Sequence, residues 1–485
     1  MTHAREEPIA KCRKLERQKR ASGFYLSDFL AFAIAFLVLM LAHAGVQAAP
    51  AGTTKQQIVR KVLDNGLTVI VKPEEGSGLV AIVAIVKAGA GQESIQTAGV
   101  GNFVSRLLLA STRLKSAENV ASIADEVGGN IGTEWEWDTT SIRAVTTSVG
   151  FDRAMSLIGE SLTEANFEPQ WVEQQRKVLL TSLKSGSDDV FGKAYADLRQ
   201  LLYEDNGYRR PKGVSERAIT HGTAQDLQKF FSMYYVSNNM VMSIAGDVTV
   251  EHALDRVHKA FAGVAPRKLP IDRGVPAETL DRPRFRASEA DLRAAYLLVG
   301  WLAPAVGSAD YPAFAVASTA LGGGKGSLMF KELREKQGIG YEIGTLYPKL
   351  RYQSHVVAYV VTDPFKNALP GMSPNLVLED AKKSLIALVD SLKETPMSAD
   401  DLERAKGYTI GTYALGHQHL LDRAILLGWA EAVGVGCEFD SRYGDQVQSV
   451  TAADVQRVAR KYFTNYAAVV VLPKSKSEPG AKPKE

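Results

Sequence analysis

Thr223-Ala224-Gln225-Asp226-Leu227-Gln228-Lys229 returns later in the chain as Thr451-Ala452-Ala453-Asp454-Val455-Gln456-Arg457. Each copy opens with a threonine three residues ahead of an aspartate, an N-cap pattern for a helix. Each is followed by an aromatic pair, Tyr234-Tyr235 and Tyr462-Phe463, and then by an apolar run at 240–245 and 467–472 that reads as a strand. A helix therefore leads twice into the last strand of a unit. The second copy begins at 451, a period that nearly halves the mature chain, so we read two related domains of comparable size. The alternative is two unrelated helix-to-strand endings that share a cap pattern.

Working outward, residues 58–72 read as a hairpin around Asp64-Asn65-Gly66, and 79–87, rich in Val and Ile, as a buried strand. A glycine-bearing loop leads to a helix opened by Thr97. Its Val100, Phe103, Val104, Leu107 and Leu108 form an apolar stripe, while Asn102 and Arg106, four apart, share another face. Ser116 is the N-cap of the next helix and Gly128-Gly129 its stop. Strands are expected at 131–138 and 140–147, with helices from about 151, 169 and 189. This alternation predicts an α/β fold, sandwich-like in its α+β layering. The proline-rich stretch 265–285 reads as a linker between an N-terminal domain at 49–264 and a C-terminal domain at 286–473. The polar tail 474–485 is expected to be disordered.

The 485 residues are 45% hydrophobic and 23% charged, ordinary for a globular protein with ample core material. A net charge of +3 makes no case for a nucleic-acid partner, and none is expected. Part of the basic excess lies in Arg5, Lys11, Arg13, Lys14, Arg17, Lys19 and Arg20, ahead of an uncharged run at 29–42. That run has the length of a signal-peptide core and is short for a bilayer span. Val46-Gln47-Ala48 offers small residues for cleavage, so 1–48 reads as a signal peptide for export to a bacterial periplasm; an uncleaved anchor is the alternative. Cleavage removes Cys12 and leaves Cys437 without an intramolecular disulfide partner, as a buried small hydrophobe with no catalytic role.

Several chemical candidates are weak. His417 and His419, two apart on a stretch read as helical over 414–430, diverge and make a poor metal pair. Glu134, Glu136 and Asp138 alternate on an expected strand and would line one face, read as a solvated edge. Gly322-Gly323-Gly324 fits no phosphate loop, and no Gly-x-Ser-x-Gly elbow marks a nucleophile.

Five strings, in this order and spacing, carry a resemblance: 63–69 (Leu63-Asp64-Asn65-Gly66-Leu67-Thr68-Val69); the strand, loop and helix ending in Asn102-Phe103-Val104-Ser105-Arg106; Gly128-Gly129-Asn130; Gly207-Tyr208-Arg209-Arg210-Pro211; and Leu321-Gly322-Gly323-Gly324-Lys325-Gly326-Ser327 running into Glu332-Leu333-Arg334-Glu335-Lys336-Gln337-Gly338-Ile339-Gly340-Tyr341. From about 56 to 472 the chain resembles the pitrilysin and insulinase superfamily of inverted zinc peptidases, in its processing-peptidase branch. The resemblance implies two homologous domains forming half of a clamshell that encloses unfolded peptide. It maps two zinc ligands of that family onto Asn102 and Arg106, its general base onto Ser105, and its third ligand onto Ser182 or the adjacent Thr181. A zinc site needs imidazole, carboxylate or thiolate donors, and a guanidinium only donates and is always cationic. The chain is thus expected to bind no zinc of its own and to be inactive alone, Arg106 either standing in for the metal charge beside a local carboxylate or reaching solvent.

The resemblance further implies a heterodimer. A homologous partner subunit would bring the zinc, and this chain would bring Arg334, Tyr341 and the loop Gly322, Gly323 and Gly324 to a peptide substrate. A guanidinium can fork onto a peptide carbonyl or carboxylate, and a phenol can donate to a developing oxyanion. The expected function is that of a non-catalytic, substrate-binding subunit of an exported zinc metallopeptidase. The alternative is a peptide-binding or scaffold protein derived from a peptidase.

Overall fold

The computed structural model describes residues 58–94, 97–185, 189–210, 212, 215–270, 275, 277–364 and 374–474. The expected signal segment, the tail from 475 and parts of the expected linker lie outside them. The first half runs β1 (Val59–Val62), β2 (Thr68–Pro73), β3 (Leu79–Val86), α1 (Val100–Leu107), α2 (Ala117–Glu126), β4 (Ile131–Trp135), β5 (Thr140–Thr147), α3 (Phe151–Thr163), α4 (Pro169–Ser185), α5 (Val190–Leu202), α6 (Glu216–His221), α7 (Ala224–Tyr234), β6 (Met240–Gly246) and α8 (Val250–Phe261). The second runs β7 (Arg284–Ala290), β8 (Ala295–Ala303), α9 (Tyr311–Gly322), a π-helical segment (Phe330–Lys336), β9 (Glu342–Leu346), β10 (Ser354–Thr362), α10 (Pro374–Glu394), α11 (Ala399–Leu415), α12 (Leu420–Ala432), α13 (Phe439–Gln448), α14 (Ala452–Tyr462) and β11 (Ala467–Pro473).

The repeat is visible strand by strand. The first sheet is ordered β1-β2-β6-β3-β5-β4 and the second β7-β11-β8-β10-β9. In each, the last strand of the half lies parallel to an early one, β6 beside β2 and β11 beside β7, and the remaining pairs are antiparallel. Both copies of the opening heptapeptide fold alike: Thr223 Oγ1 accepts from Asp226 N at 3.2 Å and Thr451 Oγ1 from Asp454 N at 3.1 Å, while each aspartate carboxylate takes the threonine N–H in return. Two reciprocal caps explain why both helices start at the same place in the unit.

The described residues form one compact unit, because the halves exchange helices. α5 leaves the first half and packs on β8 and β11 of the second sheet, with Leu198 and Leu202 fully buried there. α12 makes the reverse crossing onto β3 and β6, burying Ala424 and Leu427 against Ile85 and Val241. Glycines set the distance of both contacts. A Cβ at Gly300 of β8 would lie 2.9 Å from Leu198 Cδ2, and one at Gly428 of α12 would lie 2.8 Å from Ile85 Cδ1 and 2.9 Å from Ser243 Cβ. Ion pairs fix the rim of α12: Arg423 to Glu74 at 2.6 Å and Arg60 to Glu431 at 2.7 Å. Under α5, the buried imidazole of His355 meets the hydroxyls of Tyr195 (2.6 Å) and Tyr203 (2.8 Å). Burial, then the nearby Arg199 charge, holds this histidine neutral with its pKa near 3.

The structure corrects several local expectations. β4 stops at Trp135, and the three alternating carboxylates diverge. Glu136 pairs with Lys212 at 2.9 Å, Glu134 approaches Arg143 at 3.8 Å, and Asp138 is buried, accepting from Tyr208 Oη (2.5 Å) and Arg351 N (3.0 Å). His417 and His419 sit between α11 and α12, where Gly416 ends one helix and His419 begins the next, so 414–430 is not one helix. β7 starts at Arg284, inside the stretch read as linker. Cys437 is buried, and burial pushes its thiol up to about 11. Among the described residues, no helix is long and apolar enough to cross a membrane.

Candidate functional site

α1 is the centre of the first candidate site, and its start is not at Thr97. Gly99, in the left-handed region at φ 93°, precedes Val100. The cap is supplied from upstream: the carboxylate of Glu93 accepts from Gly99 N at 2.7 Å and from Gly101 N at 2.8 Å. An acid here complements the exposed N–H groups and positive end of the helix. Yet Glu93 is only 7% exposed, and this burial raises its pKa to about 7 despite the two N–H donors and the Arg210 charge. No local spacing rule reveals a cap six residues before its helix, which is why the sequence reading missed it. The apolar stripe faces the core as expected, with Phe103, Val104 and Leu108 fully buried. A side chain at Gly101 would collide with the Trp135 ring, 2.1 Å away, so α1 lies directly on β4.

The other face carries Asn102, Ser105 and Arg106. The i,i+4 geometry brings Asn102 and Arg106 together, and Arg106 Nε donates to Asn102 Oδ1 at 3.0 Å. Ser105 is buried and its hydroxyl donates to the Asn102 carbonyl at 2.9 Å. Arg106 is exposed, and no described carboxylate pairs with it; the amide of Asn102 takes the place of the expected acidic partner. α4 packs beside α1, and the Arg176 guanidinium lies 5.7 Å from the Phe103 ring centre. On α4 the Thr181 hydroxyl donates to the Lys177 carbonyl at 3.0 Å, and Ser182 is exposed.

These residues do not fit a zinc ion. The Asn102 oxygen already receives a guanidinium proton, Ser105 is spent on its own helix, and the Arg106 guanidinium is a fixed cation that only donates. Among the described residues, no three His, Cys, Asp or Glu side chains gather where they could hold a metal.

The second candidate site lies in the other half. Arg334 is near the end of the π-helical segment, and its Nη1 donates to the Gly340 carbonyl at 2.5 Å, one residue before Tyr341. The guanidinium thus braces the turn into β9 and keeps further N–H donors for another acceptor. Tyr341 is 57% exposed, and its phenol is held above its usual pKa by partial burial and by Tyr296, Glu342 and Asp363, so it is a donor at neutral pH. Gly323 closes α9 by donating to Thr319 O at 2.7 Å, and Gly324 follows at φ 72°. With Gly322 they also line a cavity of about 500 Å³. Arg334 and Tyr341 are brought together, whereas no hydrogen bond or ion pair among the described residues joins them to Asn102 or Arg106.

Comparison with known proteins agrees with this architecture. A family model described as Insulinase (Peptidase family M16) matches residues 68–201, and one described as Peptidase M16 inactive domain matches residues 222–408. The chain belongs to peptidase family M16. Among M16 relatives, an uncharacterized zinc protease of Mycobacterium tuberculosis is 25% identical over 419 residues, covering 85% of this chain and 93% of that one. The zinc protease PqqE of Helicobacter pylori is 22% identical over 419 residues, 84% and 91% of the two chains. Among solved structures, a protease from Helicobacter pylori superposes with a TM-score of 0.76 at 21% identity, covering 86% of this chain and all of that one. The first half of the periplasmic protease PqqL from Escherichia coli gives 0.70 at 16% identity, covering 86% and 92%. The two sheets with their exchanged helices are therefore an M16 catalytic-like domain and an M16 inactive domain in one chain.

Proposed function

We propose that this M16 chain is the non-catalytic, substrate-binding subunit of an exported heterodimeric zinc metallopeptidase that acts on peptides or unfolded polypeptides. The observation that supports the reading is the Arg106–Asn102 hydrogen bond, which leaves a fixed cation and a committed amide on one face of α1; in our reading this is the face on which the catalytic members of the family carry their zinc-binding imidazoles. The vacated positions are Asn102, Ser105, Arg106 and Ser182. Zinc and general base come from a homologous partner subunit carrying an intact His-x-x-Glu-His.

This chain contributes Arg334, Tyr341 and the Gly322, Gly323 and Gly324 wall. The braced guanidinium holds a substrate carbonyl or carboxylate, and the exposed phenol donates to the oxyanion that forms when the partner's water attacks. Nothing in that role requires chemistry from α1. The uncharged run at 29–42 supports export, with the periplasm as the compartment.

The test is steady-state peptidolysis by the reconstituted heterodimer. Arg334→Ala and Tyr341→Phe should each lower kcat/KM about 10- to 100-fold, with the Tyr change falling mainly on kcat. Variants as active as wild type would overturn the assigned role.

A further inference from the structure

The Tyr-rich cavity beside the Gly322–Gly324 turn contains one charge. Its walls come from α9, α11, α13, β9, β10 and the segment after β9, and include Tyr408, Tyr413, Tyr443, Thr345 and Gly324. Lys349 lies in this wall and also in that of a second cavity, of about 310 Å³, so it stands where the two meet. Its volume of about 500 Å³ falls in the range of small-ligand sites.

Lys349 is exposed to the cavity yet closely surrounded by protein, and this surrounding lowers its pKa, with Asp440 opposing weakly. No described carboxylate forms an ion pair with it. The nearest acid acting on it, Asp440, instead accepts from Tyr413 Oη at 3.1 Å. The ammonium has an aromatic neighbour, the Tyr413 ring centre at 5.0 Å, which leaves its hydrogen-bond donors free of an anionic partner. Another titratable group facing this corner is His417, whose pKa burial and the Lys349 charge push down.

The segment that holds Lys349 is pinned on every side. Tyr347 Oη donates to Pro304 O at 2.7 Å, Ser354 Oγ to Pro348 O at 2.7 Å, Val306 N to Leu350 O at 3.0 Å, and Arg351 N to the buried Asp138 at 3.0 Å. The backbone beneath Lys349 therefore does not have to be ordered at the moment a ligand arrives. Around it the phenols stay protonated: burial pushes Tyr443 up to about 12 and holds Tyr413 above its usual range. The cavity thus offers apolar ring faces, uncharged phenols and a single cation without an ion-pair partner.

We propose that this cavity is a peptide subsite that binds a carboxylate through Lys349 and seats an adjacent aromatic or large apolar side chain against Tyr408 and Tyr413. That a peptide is the ligand rests on the function proposed above; the carboxylate rests on the site itself. The carboxylate belongs either to the peptide's C-terminus or to an acidic side chain, and both present the same anion.

The test is fluorescence-anisotropy binding to the full chain with three N-terminally fluoresceinated peptides that end in Phe. One is the free acid, one its C-terminal amide, and one the amide with Glu in the penultimate position. At least one carboxylate-bearing form should bind about tenfold tighter than the plain amide. Tighter binding of the free acid alone assigns the C-terminus, and of the Glu peptide alone the side chain. Lys349→Gln should abolish the preference and Lys349→Arg retain part of it. Tyr408→Ala, at an exposed position, should weaken all forms while keeping their ratio. Equal binding of the three peptides to wild type, or a preference that survives Lys349→Gln, overturns the subsite and leaves peptide binding standing. Binding of none overturns both.

Discussion

At the scale of single residues, the fate of α1 turns on two side chains that satisfy each other. An i,i+4 pair on one helix face can hold an ion between them or close on one another, and Asn102 and Arg106 close, at 3.0 Å. The helix itself depends on Glu93, an acid that is a good cap by geometry and a costly one by burial. Because its folded pKa of about 7 lies above the ordinary 4.5, the folded state binds the proton more tightly than the unfolded chain does between those values. Stability from this group is therefore highest at low pH and falls as pH rises from about 4.5 to 7, by on the order of 2–3 kcal/mol. Glu93→Gln, which keeps one acceptor for the helix N–H groups, should lose less stability over that range than wild type. Urea unfolding at pH 5 and pH 7.5 measures this, and parallel losses in the two proteins would contradict it. Asp138, raised to about 6 by burial, contributes the same sign in both proteins and cancels in the comparison.

At the scale of elements, the local devices were legible and the tertiary ones were not. The hairpin at Asp64-Asn65-Gly66, the Ser116 cap, the stop at Gly128-Gly129 and both Thr-x-x-Asp boxes are set by neighbours within four residues, and all form. The crossing of α5 and α12 onto each other's sheets depends on contacts between distant parts of the chain, which no periodicity records. The Glu93 cap and the burial of Asp138 were hidden for the same reason. So was the Lys349 cavity, assembled from five elements and a connecting segment. Exchange also has an energetic consequence: neither half buries its sheet without a helix from the other. Leu198→Ala should cost about 2–5 kcal/mol and Gly428→Val about 1–3 kcal/mol, since the first empties a filled core and the second overfills a close contact. Each should leave one unfolding transition, with tryptophan fluorescence and far-UV circular dichroism coincident. Two separated transitions in either variant would contradict the interlock.

At the scale of the whole molecule, the duplicated M16 fold keeps two differently equipped halves. The first has a helix whose polar face is closed by an amide and a guanidinium. The second has an exposed phenol beside a braced guanidinium and an aromatic cavity with one unpaired cation. Their sequence signals differed in kind. Asn102, Ser105 and Arg106 stood out because each lacks the donor chemistry of a zinc site, which residue type alone decides. Arg334 and Tyr341 carried meaning only through their flanking glycine string, and the structure adds that Arg334 fixes the peptide unit leading into Tyr341. Under the proposed divided active site, with hydrolytic chemistry on one chain and substrate contacts on another, this chain would use the second set and have no need of zinc donors in the first. The most direct measurement is the peptidase rate of a purified homologous subunit with an intact His-x-x-Glu-His, alone and after titration with this chain. The account predicts at least a tenfold rise in kcat/KM that saturates at one chain per partner, while this chain alone cleaves nothing. Full activity of the partner alone, unchanged by addition of this chain, would contradict it.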